Sequence, residues 1–391
     1  MSLVFSNSQS SINWIKKNLF SNWFNSLLTL VSLVFIFWVG SSLISWAIFQ
    51  AQWGVITANL RLFFVGQYPV SLLWRAWTSL AIIFSLIGFS WGLITHYNNL
   101  FNPIILIFLG FISVILALLA IPISLVSSAK LLVILILFVT FAIMGQKISR
   151  KLPDFSNWLS LIWGLTFFFL LGLLQGAFFL RPVRLDDFSG LILTLFVAII
   201  SIVLSFPFGV LLALGRQSAL PFIRWLSIAY IELIRGLPLI GILFMAQVML
   251  PLILPQDMRI QRVIRAIAGF TLFSAAYLAE NVRGGLQSVP KGQTEAAKAL
   301  GLNGFFVLIF VVLPQALRVV IPTIVGQFIS LFKDTSLLAI VGLVDLLGIS
   351  QSILANPKFI GRYGEVYIFV AAIYWLFCYS MSLLSRRLEN K

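Results

Sequence analysis

The chain has 391 residues, of which 61% are hydrophobic and only 9% charged, whereas a water-soluble domain carries roughly a quarter of its residues as Asp, Glu, Lys or Arg. That balance excludes a soluble globule: about 20 apolar residues make one helical crossing of a bilayer core, so about ten crossings use half the length and leave no large soluble domain. The 26 basic and 11 acidic residues give +15, but the bases are scattered beside apolar runs instead of forming one face with interleaved aromatics, which points to lipid headgroups and excludes nucleic acid as a partner.

The polar start carries Trp14, Lys16, Lys17 and Trp23, and the apolar run at 27–49 is longer than the core of about 7–15 residues in a signal peptide, so it reads as an uncleaved span. Further spans are expected at 76–94, 103–125, 131–144, 158–180, 191–214, 238–254, 264–279, 317–332 and 366–384. The run 103–144 is broken only by Pro122 and Lys130, so a single re-entrant hairpin is the alternative there. An even number of spans puts both termini on one side, and Lys16, Lys17, Arg386 and Arg387 make that side the cytoplasm.

His96 and Cys378 are the only histidine and cysteine, so the chain offers neither a disulfide nor a Cys/His metal site. Asp154 is the only acid before Asp186 and the other ten follow, which divides the chain into a front region, 1–185, of about five spans and a core, 186–391, of about five more. In the front region the pairs Gly88/Gly92 and Gly172/Gly176 are spaced to let helices approach closely.

Four groups of core residues stand out. Glu232 and Arg235 are spaced for an i, i+3 ion pair before a break at Gly236 and Pro238. Gln247 and Thr271 lie in apolar spans, where they can bond a substrate or another helix. Arg259, Arg262 and Arg265 form a stripe suited to a soluble acidic partner or to lipid phosphate. Lys333 and Asp334 end a span, either pairing structurally or meeting the charged groups of a solute.

Residues 280–304 read ENVRGGLQSVPKGQTEAAKALGLNG, a polar, glycine-rich stretch between apolar runs and hence a surface loop. Within it 294–300 is spaced for about two helical turns, with Glu295 near the positive end and Gly301 as the left-handed stop. Such a helix is too short to stand alone in water. Ala296, Ala297 and Leu300 make a smooth ridge with Glu295 and Lys298 at its rim, which suits either a groove on another protein or the chain's own face.

Glu295-Ala296-Ala297, Gly301 three residues after Lys298, and Leu313-Pro314 resemble the EAA signature of binding-protein-dependent ABC importer permeases. AAYLAENVRGGLQSVPKGQTEAAKALG and LPQALRVVIPTIVGQFISLFKDTSLL are similar to the polar amino-acid branch, and ANLRLFFVGQYP at 58–69 resembles the general L-amino-acid type, with its extra N-terminal spans. The resemblance implies an all-α type I permease core at 186–391 with a cytoplasmic EAA loop at 283–316. It implies that Glu295, Ala296, Ala297, Lys298, Leu300 and Gly301 couple the chain to a dimer of ATP-hydrolysing subunits.

The remaining partners would be a second permease chain, identical or related, and a soluble amino-acid-binding protein. The chain has no G-x-x-x-x-G-K-[ST] stretch, so ATP and Mg belong to the partner and no cofactor or catalytic residue is expected here. An ion-coupled secondary transporter would show paired repeats and a buried acidic or histidine relay, and an intramembrane enzyme a cluster of catalytic side chains. Neither pattern is present.

Overall fold

The computed structural model describes residues 13–14, 16–95, 125–177, 179–255 and 260–389. Among these residues no strand forms. The backbone is helical apart from connections and one isolated parallel bridge between Gly190 and Asp345, the expected outcome where lipid offers backbone N–H and C=O groups no partners.

The chain packs as two units, Met1–Gly54 and Val55–Lys391. In the first, α1 (Trp23–Ser45) is capped by the Asn22 side chain accepting from the Asn25 N–H at 3.1 Å and runs on as a π-helix through Gln50. No residue of α1 is buried within the described chain, and such an all-round apolar surface suits lipid.

The second unit begins one residue into α2 (Gly54–Val65), a short helix absent from the expected spans, followed by α3 (Leu73–Ile94), α4 (Leu125–Lys151) and α5 (Leu159–Gln175). A Cβ on Gly88, Gly92 or Gly145 would run into the backbone oxygen of Phe138, Ala142 or Phe89 respectively, so α3 and α4 meet backbone to backbone. Ser149 Oγ donates to Leu93 O at 3.0 Å and Gln146 Nε2 to Thr95 O at 3.1 Å across the same contact. Gly176 behaves differently from its expected pairing with Gly172. It ends α5 at φ 89° with its N–H on Gly172 O, a left-handed helix stop.

Next come α6 (Gly190–Arg216) and α7 (Pro221–Gly236), then α8 (Leu239–Phe244), a π-helical turn Met245–Met249, and α9 (Leu250–Ile253). α7 and the stretch Leu239–Ile253 form one pair bent by 102°. The span expected at 238–254 is thus only the second arm, because Gly236 and Pro238 break the helix behind a first arm that starts with Pro221.

The helix α10 (Arg262–Ser288) overturns the loop expected from residue 280. Its polar end stays helical because Glu280 and Arg283 pair at i, i+3 while Val282, Gly285 and Leu286 keep a buried face. α11 (Lys291–Ala299) and α12 (Gly304–Phe306) follow. A π-helix Val307–Val312, α13 (Leu313–Asp334) and a 3-10 turn to Ala339 then make one apolar stretch far longer than the expected 317–332. α14 (Leu346–Leu354) and α15 (Tyr363–Glu389) complete the chain.

Among the described residues eight helices are long and apolar enough to cross a membrane, nine if the bent pair is one span. Each answers to one of the ten expected spans. The tenth, at 103–125, lies outside the described residues up to Leu125, where α4 begins, and so does His96.

The core sits around α6 and α10. Phe188, Leu193, Phe196 and Val197 pack with Leu243, Phe270, Phe332 and Leu338, and Tyr68 from the front region joins them, 5.6 Å from the ring of Phe188. Small residues set the spacing: Ala275, Ala276 and Ala279 of α10 are almost fully buried, and a Cβ on Gly209 or Gly285 would press on Leu278 or on Ala316 O.

Gly92→Ala is expected to lower the thermal midpoint of the detergent-solubilised protein, at a cost of about 1–3 kcal/mol typical of overpacking. Gly164→Ala, where a Cβ meets nothing within 4 Å, leaves the midpoint unchanged or slightly higher because alanine favours helix.

Candidate functional site

The short helix α11 starts at Lys291, three residues before the expected 294, because Pro290 supplies an extended entry at φ −59° and ψ 137°. Its end is as the sequence requires: Gly301 adopts φ 83°, its N–H bonds Lys298 O at 2.9 Å, and the Leu302 N–H bonds Ala297 O at 3.3 Å. Asn303 then caps α12 by accepting from the Phe306 N–H at 3.0 Å.

α11 packs against the π-helix Val307–Val312 through Ala297, which is 4% exposed, and Gln315 Nε2 donates to Gln293 Oε1 at 3.3 Å. Glu295, Ala296, Lys298, Leu300 and Gly301 are exposed. The expected ridge is therefore split: Ala297 faces its own chain, while Ala296 and Leu300, the latter 83% exposed, face away from it.

Behind α11, at the same end of α10, Glu280 gathers three guanidinium groups. Arg216 from α6 lies at 2.7 Å, Arg283 from α10 at 2.8 Å and Arg235 from α7 at 3.8 Å. Glu232 also reaches Arg216, at 3.1 Å. The i, i+3 pair expected between Glu232 and Arg235 does not form, because each side chain finds an opposite charge on another helix. Arg235 also lies 5.5 Å from the centre of the Tyr277 ring. The carboxylate of Glu280 is 16% exposed, where charge-assisted bonds are strong. Arg216 was not singled out from sequence; a lone arginine closing an apolar run was the available signal.

At the opposite end of α10, Arg262 lies 3.7 Å from Asp186 and donates to Gly342 O at 3.4 Å. Arg265 does not continue an exposed stripe. It is 9% exposed, turned inward, and its Nη1 donates to Gln247 O at 2.7 Å, while Gln247 Nε2 donates to Arg262 O at 2.6 Å. Arg259 lies outside the described residues, so of the expected docking stripe Arg262 alone is seen partly exposed.

Lys333 is exposed and Asp334 half-buried at the end of α13. Thr271 lines a cavity of about 150 Å³ with Phe208, Leu212, Tyr230, Leu272 and Ala275.

Asp345, which sequence reasoning passed over, is fully buried. It caps α14 by accepting from Gly348 N at 2.9 Å and Leu347 N at 3.2 Å, and it accepts from the Tyr374 hydroxyl at 3.3 Å. Burial pushes its carboxyl up to about 6, against the lowering effect of these bonds.

Residues 205–391 match the family described as binding-protein-dependent transport system inner membrane component. Over 98% of its length the chain is 39% identical to an inner membrane amino-acid ABC transporter permease protein of Escherichia coli K12, covering 94% of that protein. The chain belongs to this family. It is also 35% identical, over 97% of its length and 93% of the relative's, to a glutamate/glutamine/aspartate/asparagine transport system permease protein of Rhodobacter capsulatus. Among solved structures, an amino acid ABC transporter with histidines matches 51% of this chain and 91% of that one at 31% identity, with a TM-score of 0.47. As a family member the chain is a multi-pass inner-membrane permease, and the polar α11 lies between its spans.

Two outcomes follow from the charged groups. Glu280→Gln, which leaves Arg216 and Arg283 without their shared carboxylate, is expected to destabilise the purified protein by about 1.5–3 kcal/mol, and a cycle with Arg216→Gln should show strong non-additivity in thermal unfolding. For Asp345 the folded value of about 6 exceeds the ordinary 3.8. The folded state thus keeps a proton that the unfolded chain has released, and this group's contribution to stability falls as pH rises from about 4 to about 6. Asp345→Asn retains a capping acceptor and should unfold at a higher temperature than wild type at pH 7.5, with the advantage gone at pH 4.

Proposed function

We propose that this permease is the membrane-spanning subunit of an ATP-driven importer of amino acids, in which α11 seats in a cleft of a separate ATP-hydrolysing subunit. The observation that carries the reading is the arrangement of α11: a short helix held to its own chain by the buried Ala297 and the bond from Gln315 to Gln293, with Glu295, Ala296, Lys298, Leu300 and Gly301 left outside. A helix this short holds its shape only while packed, and the face it leaves bare is small enough to enter a groove.

In this reading the α11 end is cytoplasmic, together with both termini. ATP and Mg sit on a dimer of ATPase subunits, and this chain does no covalent chemistry and binds no cofactor. A second permease chain completes the pathway beside the core at 186–391, which the spans of 1–185 flank. Amino acids arrive on a soluble binding protein at the opposite face, where Arg262 is exposed. The amino-acid cargo is supported by the relatives, one described as an amino-acid permease and the other as serving glutamate, glutamine, aspartate and asparagine.

The charged cluster on Glu280 supports transmission of force. It joins the α10 end next to α11 to the ends of α6 and α7, so a push on α11 is felt by α6 and by the first arm of the bent pair. Glu232 and Arg235 then belong to the gate on that side, and Lys333 and Asp334 to the solute path. An ion-coupled transporter is the weaker reading, because it gives an exposed α11 no task.

Affinity-tagged permease isolated from its own membranes is expected to bring down vanadate-sensitive ATP hydrolysis. Gly301→Asp, which forces a side chain into φ 83°, and Glu295→Lys should lose that activity or abolish ATP-driven amino-acid uptake while the permease itself stays monodisperse. Full uptake and undiminished ATPase recovery in both variants would overturn the assignment of α11.

A further inference from the structure

The contact between the π-helical turn Met245–Met249 and the start of α10 is closed on the outside and unfinished within. Gln247 and Arg265 are 8% and 9% exposed. Gln247 Nε2 is committed to Arg262 O, which fixes the amide orientation, and Arg265 Nη1 is committed to Gln247 O. What remains is complementary and open: Gln247 Oε1, an acceptor, and Arg265 Nε–H, a donor on a cation, are both buried with no hydrogen-bond partner. Leaving such groups unmet is destabilising, more so for the charged one.

Buried polar groups in native proteins are satisfied, and exceptions call for a specific cause. Here the bonds already made belong to backbone oxygens, and the free positions differ in sign. A solute that presents a carboxylate and an ammonium on one carbon atom meets both. A π-helical turn is a local widening of the helix and recurs at functional sites, and ionisable groups within membrane spans favour solute pathways over packing. Asp186, the acid near this end, lies 3.7 Å from Arg262 and 3.6 Å from Arg184 and also acts on the charge of Arg265 without a hydrogen bond to it, so three arginines share one carboxylate and positive charge stays in excess for an anion.

We propose that Gln247 and Arg265 form a transient recognition point for the backbone of a passing amino acid, the Arg265 Nε–H donating to its α-carboxylate and Gln247 Oε1 accepting from its α-ammonium. This deepens the importer reading and rests on it. Because both contacts fall on groups common to all α-amino acids, the point selects the class and tolerates many side chains. In the closed arrangement described, solute reaches it only when the π turn and α10 separate, which breaks the two bonds between Gln247 and the arginine turn and exchanges them for bonds to the solute.

The test is direct binding of tritiated L-alanine, L-glutamate, L-glutamine and L-arginine to the detergent-solubilised permease–ATPase complex without the binding protein, by scintillation proximity. Wild type should bind saturably. Arg265→Met and Gln247→Leu should weaken half-saturation for each bound amino acid tenfold or more, and Arg265→Lys, which keeps the cation, less than Arg265→Met. Ethylamine, lacking the carboxylate, and N-acetyl-L-alanine, lacking the ammonium, should fail to displace L-alanine.

A purely structural tie between the π turn and α10 would instead leave displacement indifferent to carboxylate and ammonium. Wild-type affinity in Arg265→Met and Gln247→Leu, displacement by ethylamine, or no saturable binding of any of the four amino acids would overturn the proposal. ATPase recovered with each variant reports separately on the importer assembly, so loss of binding with assembly intact isolates this site.

Discussion

The close approach of α10 to its neighbours is the contact on which the other features depend. In a bilayer, burying apolar surface gives little drive for one apolar helix to choose another, so shape and small residues decide. Ala275, Ala276 and Ala279 of α10, Gly209 of α6 and Gly285 against Ala316 of α13 remove the side chains that would hold the backbones apart. An unbroken helix of 27 residues, about 40 Å at 1.5 Å per residue, is thereby clamped along most of its length. It carries charged groups at both ends and runs through Val289 and Pro290 directly into α11.

The two charged ends are built differently. At the Glu280 end one carboxylate is shared among three arginines from three helices, so positive charge exceeds negative and the cluster ties segments that meet nowhere else in sequence. At the Arg262 end the arginines are satisfied mainly by backbone oxygens and one acid, and polar atoms are left over. Surplus bonding capacity next to a π-helical turn is a place that can exchange partners, whereas a saturated cluster resists it.

Much of the fold was legible in the chain. Continuous apolar length gave a counterpart for every membrane-crossing helix described, and Gly301 announced its left-handed stop in the sequence. The errors have physical causes. Residues 280–288 looked too polar for a span, yet a helix end is stable when its charges find partners across the interface, which local composition does not record. Gly176 shared its spacing with packing glycines, but spacing does not separate a helix interface from a helix end. Gly88 and Gly92 share the same spacing and do lie in an interface, because α4 brings the backbone of Phe138 and Ala142 against them.

By itself, the order of residues determined the solvent in which the chain lives, where it coils, and where a polar helix interrupts the spans, because these depend on neighbours within one or two turns. Only tertiary packing decided that Ala297 turns inward while Ala296 and Leu300 face out, that Glu280 bonds Arg216 from 64 residues away, and that Arg265 folds under the π turn to Gln247 instead of lining a surface. Those choices turn on which helices come within bonding distance. That distance is set by small side chains at interfaces, whose partners are scattered along the chain and carry no local mark.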